Sequence, residues 1–412
     1  MSSRSSVFFG GMIIAGTAIG AGMLANPTAT SGVWFLGSLV VLVYVWLCMS
    51  LSGLMLLEAR LGFATGASFH SMVLERLGPK WNLLCAFSLV FVLYSLTYAY
   101  TFVGGGLTQE WLNHLPLGAE VPRAWAAALF LFILAVLVVA STHWVGRASS
   151  LLIGAMVLCF VLAVAGVLPH VDVAVLLNTE AVPFYGKYAW LALPVCLASF
   201  GFHGNVPGLV DYHEGRARPV VKSIWWGSSL ALGLYVLWQV AVQGTLPRNA
   251  FGPVIAADGD VAVLLNAMSA YLSTQGMARW LHGFAYFAIV SSCLGVTLGL
   301  FDYLRDVLHL GNSFAGRFKA ALLTFMPPLL AYLLMPTGFV KVMGYVGLMA
   351  AVWAVLVPVL LAHKSRRVGA SQSYQAPGGE AGLLFVGSFA VLVILVQLLL
   401  LMGRLPMYQG AL

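Results

Sequence analysis

The amino-acid sequence predicts an all-α integral membrane protein with eleven transmembrane helices, and three observations carry that reading. Of 412 residues, 61% are apolar and only 8% are charged. A soluble domain carries about 25% charged residues. A hydrocarbon core about 30 Å thick takes roughly 20 apolar residues per helix, so eleven spans use about 220–240 residues, which matches the apolar inventory. A soluble enzyme and a nucleic-acid binder are poor fits, because water cannot hide this much apolar surface. Cys48, Cys85, Cys159, Cys196 and Cys293 all lie in apolar stretches, and no Cys-x-x-Cys occurs. They read as small buried side chains, with no disulfide framework and no metal site. No cleavable signal peptide is expected, since the first apolar run starts at Val7 and continues too long.

The spans run over 7–30, 33–60, 82–108, 123–141, 148–168, 188–211, 221–244, 279–303, 318–335, 338–362 and 382–403. Most are apolar on every face, as expected for a lipid-embedded bundle. Two connections hold short helix candidates, Ser68 to Leu77 and Leu264 to Leu272. Neither connection is long enough for a separate domain, so residues 1–412 read as one unit.

Charge sets the orientation. With eleven spans, only Arg123, Lys187, Arg248, Arg279, Lys341 and Arg404 of the 20 Lys/Arg fall on the side opposite the N-terminus. The excess of positive charge on the N-terminal side predicts a cytoplasmic N-terminus and a C-terminus on the opposite, outer side. The net charge of +7 therefore reports topology rather than a nucleic-acid partner.

Two spans are interrupted. The first contains Gly16-Thr17-Ala18-Ile19-Gly20-Ala21-Gly22, then Asn26-Pro27. Glycine costs a helix about 1 kcal/mol relative to Ala. Gly16 and Gly20 also fit Gly-x-x-x-Gly packing, which is the plainer reading of that span alone. The sixth span shifts the balance. It reads Ser199-Phe200-Gly201-Phe202-His203-Gly204-Asn205-Val206-Pro207. Each interruption opens a block of five spans, 7–168 and 188–362, with 382–403 left over. Broken helices in matching positions of two halves point to the binding site of a secondary transporter. Freed N–H groups at a half-helix N-terminus suit a carboxylate. Freed carbonyls suit an ammonium or a small cation. Such a pair grips the dipolar part of an amino acid without a charged side chain.

The motifs Gly-Thr-Ala-Ile-Gly-Ala-Gly-Met (16–23), Ser-Gly-Leu-Met-Leu-Leu-Glu-Ala (52–59) and Ser-Phe-Gly-Phe-His-Gly-Asn-Val-Pro (199–207) resemble those of the bacterial aromatic amino acid permeases. So do Leu-Gly-Val-Thr-Leu-Gly-Leu-Phe-Asp-Tyr (294–303) and Leu-Leu-Thr-Phe-Met-Pro-Pro (322–328). This is the tryptophan/tyrosine branch of the amino acid/polyamine/organocation superfamily, and residues 91–100 and 193–201 are most similar to its tryptophan-specific members. The resemblance spans nearly the whole chain. It implies a LeuT-like five-plus-five inverted repeat with one added helix, and import of an aromatic amino acid, foremost tryptophan, by cation symport. It implies no cofactor beyond the coupling ion, a proton or sodium.

Several side chains are candidates for this work. Thr17, Ala18, Gly20, Ala21, Gly22, Gly201 and Ser292 are expected around the dipolar end of the substrate. Phe200, Phe202, Tyr94 and Tyr98 are candidates for an aromatic slot, although most aromatics in such a chain are packing residues. His203 lies inside the second break, where it would bond substrate, fix the loop or carry a proton. Glu58 is an intramembrane acid, functional or a structural bond to broken-helix backbone. Arg4 with Asp302 and Asp306 is a candidate inner gate. Ser291 and Ser292 match the place where hydroxyls hold sodium in sodium-coupled members of this fold. The resemblance implies Ala-Lys in the fifth span of proton-coupled relatives, but this sequence has Ala155-Met156. Another group must then titrate, or sodium takes the place. One charge falling through 100 mV supplies about 2.3 kcal/mol, enough for roughly 50-fold accumulation of a neutral zwitterion.

A serine/threonine carrier of the same fold is the alternative cargo reading. An intramembrane enzyme or an amino-acid sensor is the alternative from another class. The sequence has no His-Glu-x-x-His and no credible Gly-x-Ser-x-Gly, and it appends no soluble signalling domain.

Overall fold

Long apolar runs fix the architecture, because a chain in hydrocarbon must satisfy its backbone within itself. The computed structural model describes residues 3–113, 115, 120–140, 142–178, 186–272, 275–311, 313–335, 338–369 and 374–410, with side chains except at 3–6, 142–147 and 275. Among the described residues every regular element is helical. In chain order they are α1 (Ser3–Ala18), α2 (Ala21–Ala29), α3 (Trp34–Arg60), α4 (Phe69–Leu77), α5 (Pro79–Asn113), α6 (Arg123–Ala140), α7 (Thr142–Val167), α8 (Val173–Leu177) and α9 (Ala189–Ser199). There follow α10 (Val206–Tyr212), α11 (Ala217–Gln243), α12 (Gly252–Ala256), α13 (Val261–Leu272), α14 (Gln275–Val307), α15 (Phe314–Leu334), α16 (Phe339–Ala350), α17 (Val357–Arg367) and α18 (Gly379–Leu401). Among the described residues ten helical runs are long and apolar enough to cross a membrane alone, and the bent pair α1/α2 makes an eleventh if it counts as one span. The two short helices expected in the connections are present as α4 and α13.

Both expected interruptions are present, with different shapes. The first span bends by 54° at Ile19–Gly20. The sixth span loses its helix over Phe200–Phe202, makes a 3₁₀ turn at His203–Asn205 and resumes as α10. Pro207 sits in the first turn of α10, where its missing N–H costs nothing.

A third irregularity was not expected. In the tenth span a π turn, Ala351–Leu356, joins α16 to α17. Pro358 has no N–H to give the Ala354 carbonyl four residues earlier. The Ser52 hydroxyl of α3 donates to that carbonyl instead, at 2.5 Å. The same device holds the ninth span. Pro327 leaves the Leu323 carbonyl without its helical donor, and the Tyr94 hydroxyl of α5 supplies one at 2.8 Å.

Helix α2 is the centre of the bundle: all nine of its residues are buried. It packs on α9, α11, α14 and α16. Two further pairings, α1 with α11 and α7 with α14, are the most extensive in the molecule. For reference, the N-terminal face is the side on which α1 begins, and the far face is where α2 ends.

Candidate functional site

The two breaks lie together, and one side chain joins them. Ala18 ends α1 and Ser199 ends α9, so each has a carbonyl without an intrahelical donor. The Tyr235 hydroxyl of α11 lies 2.6 Å from both oxygens. Tyr235 is buried, and Phe200 packs on its ring at 4.8 Å between centroids. Tyr100 of α5 lies near the same hydroxyl.

The N–H end of the first break meets α14. Ala21 opens α2, and its N–H donates to the Ser292 hydroxyl at 3.1 Å. Glycine at 20 makes room for this bond, because a Cβ would collide with the Ser292 oxygen and force that hydroxyl aside. Gly22 sits close as well: a Cβ there would lie 3.0 Å from the Ser199 Cα, so the two segments would have to move apart slightly. The Ser199 hydroxyl lies 2.9 Å from the Gly22 carbonyl, 3.0 Å from Asn26 Oδ1 and 3.1 Å from the Val195 carbonyl, and its one proton serves them in turn. Gln239, polar inside the seventh span, finds its partner in Thr30 of the first span at 2.5 Å.

The halves of the first span are unequally enclosed. Whereas α2 is buried throughout, Gly16 and Thr17 in the last turn of α1 are exposed. Thr17 accepts a 2.5 Å hydrogen bond from Asn205. Gly204 and Gly208 across from it are also exposed. On α14, Ser292, Gly295, Gly299, Asp302 and Asp306 share one face by helical spacing. Gly295 and Gly299 are exposed with open space at the Cβ position. The region around the breaks is therefore more exposed toward the N-terminal face; the far end of α2 borders a separate hollow of about 180 Å³ lined by Thr28, Ser31, Tyr188 and Asp258.

The remaining expected residues sort by what they touch. Phe202 is fully buried, fits against Gly53 of α3 and stacks on His203 at 4.7 Å. Gly201 lies at the same break and is half-buried. The Tyr94 hydroxyl goes to Leu323 within α15, and the Tyr98 hydroxyl to the carbonyl of Met335, the residue that caps α15, at 2.7 Å. Met156 is buried on α7, and the Ser291 hydroxyl donates to the Ala288 carbonyl at 3.2 Å. Glu58 is fully buried and takes two hydrogen bonds from Arg366, at 2.7 and 2.8 Å, plus the Ala376 N–H at 2.8 Å. Asp302 pairs with Arg305 at 3.4 Å. Asp302 and Asp306 border a hollow of about 450 Å³ at the N-terminal face. The Arg4 side chain lies outside the described residues, so the structure does not place that end of the expected gate.

Three contributors were not singled out from sequence: Tyr235, Ser199 and the pair Arg60–Asp211. Arg60 is almost fully buried at the end of α3 and meets Asp211 of α10 at 2.5 Å. Asp211 also accepts the Gly66 N–H at 3.2 Å. Arg60 was counted only toward orientation. No metal-holding cluster of His, Cys, Asp and Glu occurs among the described residues.

A bent span, a second broken span and helix ends facing each other across one hydroxyl fit a carrier. A model of the tryptophan/tyrosine permease family matches residues 3–397. The chain belongs to that family. It is a permease, not an enzyme. It is 49% identical to a tryptophan-specific transport protein of Haemophilus influenzae over 98% of each chain. It is 42% identical to the tryptophan-specific transport protein of Pseudomonas aeruginosa, over 99% of this chain and 98% of that one. Against a tyrosine permease of Enterobacter agglomerans the permease is 36% identical, over 94% of its length and 95% of the relative's.

Proposed function

We propose that this permease imports tryptophan across a bacterial inner membrane by proton symport with alternating access. The observation that carries the reading is the meeting of two helix breaks at Tyr235. Carbonyl ends of α1 and α9 face one point, and the first N–H groups of α2 lie beside them. The carbonyls take the substrate ammonium, and the N–H end near Gly20–Gly22 takes its carboxylate. Phe200 and Phe202 give apolar walls at the same level. The names of the two tryptophan-specific relatives support tryptophan over other aromatic cargo.

Packing supports a five-plus-five inverted repeat. Exchanging each span with its counterpart five spans later maps the α7–α14 contact onto α16–α5, and the α1–α11 contact onto α9–α3. All four contacts are extensive. The Lys/Arg asymmetry puts the N-terminal face in the cytoplasm, so the open side of the site faces inward. Arg60–Asp211 then sits at the inner mouth, and Arg123–Asp260, at 2.6 Å, on the outer side.

Uptake of labelled tryptophan into proteoliposomes tests this, with a pH gradient alone and a sodium gradient alone. Saturable uptake under the pH gradient, with weak competition by tyrosine, phenylalanine, serine and threonine, is expected. No uptake under either gradient would overturn the reading. Uptake with sodium alone would replace the proton as coupling ion.

A further inference from the structure

We infer that His203 is the proton-carrying group of the transport cycle, taking a proton with the substrate from the outer side and releasing it to the inner side. The inference rests on the symport reading above and names the group that performs it.

The first support is an anomaly of satisfaction. His203 is fully buried, yet neither ring nitrogen makes a hydrogen bond. Buried polar atoms are otherwise paired in folded proteins, and an orphan calls for a reason such as a mobile water or ion. The Met49 backbone of α3 lies against the ring but makes no hydrogen bond of standard geometry with it. The Trp353 indole of the π turn stands edge-on at 6.3 Å, and its N–H is also unpartnered. Two side chains with orphan polar atoms thus pack together, one from the 3₁₀ turn of one broken span and one from the π turn of another. Both turns are irregular backbone in a membrane helix, where irregularity marks a working part.

The second support is that Glu58, Asp211 and Asp302 are each engaged, and Asp306 lies apart from His203 in the hollow at the N-terminal face. Glu58 accepts three hydrogen bonds, two of them from a guanidinium. Asp211 is paired with Arg60, and Asp302 with Arg305. Phe202 from its own turn, Met49 from α3 and Trp353 from the π turn lie against His203, and none of the three carries charge. Cys48, next to Met49 on α3, is hydrogen-bonded to Tyr44.

The third support is position. His203 directly follows the break whose carbonyl end meets Tyr235, and its neighbour Gly204 is exposed on the open side. A short shift of the 3₁₀ turn would wet the ring. Charge is costly to enclose in apolar surroundings. Wetted from the outer side in the outward-open state, the ring gains a proton; enclosed in this inward-open state, it gives the proton up to water on the exposed Gly204 side. Tryptophan zwitterion is neutral, so each cycle moves one net positive charge inward.

Two assays on the same proteoliposomes separate the claims. Tryptophan exchange without a gradient needs the substrate site alone, whereas accumulation under an imposed pH gradient needs the proton. His203→Gln should keep exchange and lose gradient-driven accumulation. His70→Gln, an exposed change on α4, should keep both. Accumulation persisting in His203→Gln would overturn the inference. Absence of exchange in the unaltered protein would instead overturn the transport reading. Should His203→Gln fail to fold, nitrogen-15 histidine spectra of the unaltered protein decide. One ring must switch between neutral and cationic forms when tryptophan is added near pH 6.5, and nine unchanged histidines would overturn the inference.

Discussion

Tyr94 donates its hydroxyl proton to the Leu323 carbonyl at 2.8 Å, the acceptor that Pro327 leaves without a helical partner. The pair ties α5 to α15 where the ninth span is weakest. Tyr94→Phe removes the donor and keeps the ring. A net hydrogen bond is worth about 1 kcal/mol. Thermal unfolding in detergent should show a loss of that order, while the competition panel keeps its ranking. A changed ranking would put Tyr94 in the substrate slot instead.

Tyr235→Phe separates anchoring from packing. The ring still fills its place against Phe200, but the Ala18 and Ser199 carbonyls lose their common donor. Tryptophan uptake should fall by about tenfold, the worth of one or two hydrogen bonds. Initial rates over a range of tryptophan concentrations measure this, and an unchanged rate would refute it.

Gly20 and Ser292 should behave as a coupled pair. Gly20→Ala places a methyl group against the Ser292 oxygen and should suppress uptake. Adding Ser292→Ala removes the obstructing atom and should restore part of the activity. The double variant should therefore outperform Gly20→Ala alone, a non-additivity expected only of groups in contact.

Glu58→Gln should act on stability rather than on coupling. The change leaves Arg366 nearly buried without its counter-charge. Breaking one side of a buried pair costs about 3–5 kcal/mol. The melting temperature should drop, and surviving uptake should keep its dependence on the pH gradient. Replacing Glu58 and Arg366 together by apolar residues should recover much of the loss.

The spans were legible because twenty-residue apolar runs leave little freedom. Both breaks were legible because Gly16, Gly20 and Gly22, and then Gly201, Gly204 and Pro207, stand where a helix needs neither. The π turn at Ala351–Leu356 was not, since Pro358 alone does not distinguish a kink from an inserted residue. Side-chain roles were harder. Glu58 carries the same letter as a proton carrier or a structural anchor, and its partner Arg366 is 308 residues away. Tyr235 gave no local signal, because it stands alone among apolar neighbours and its work depends on two chain segments brought to it by folding.

The phenol between Ala18 and Ser199 has only one hydrogen to give, and two oxygens compete for it. Whichever helix stump loses is left as an unanswered dipole in oily surroundings. A visitor arriving with its own N–H groups settles the contest. An unladen carrier thus remains unquiet at its middle, and a laden one comes to rest.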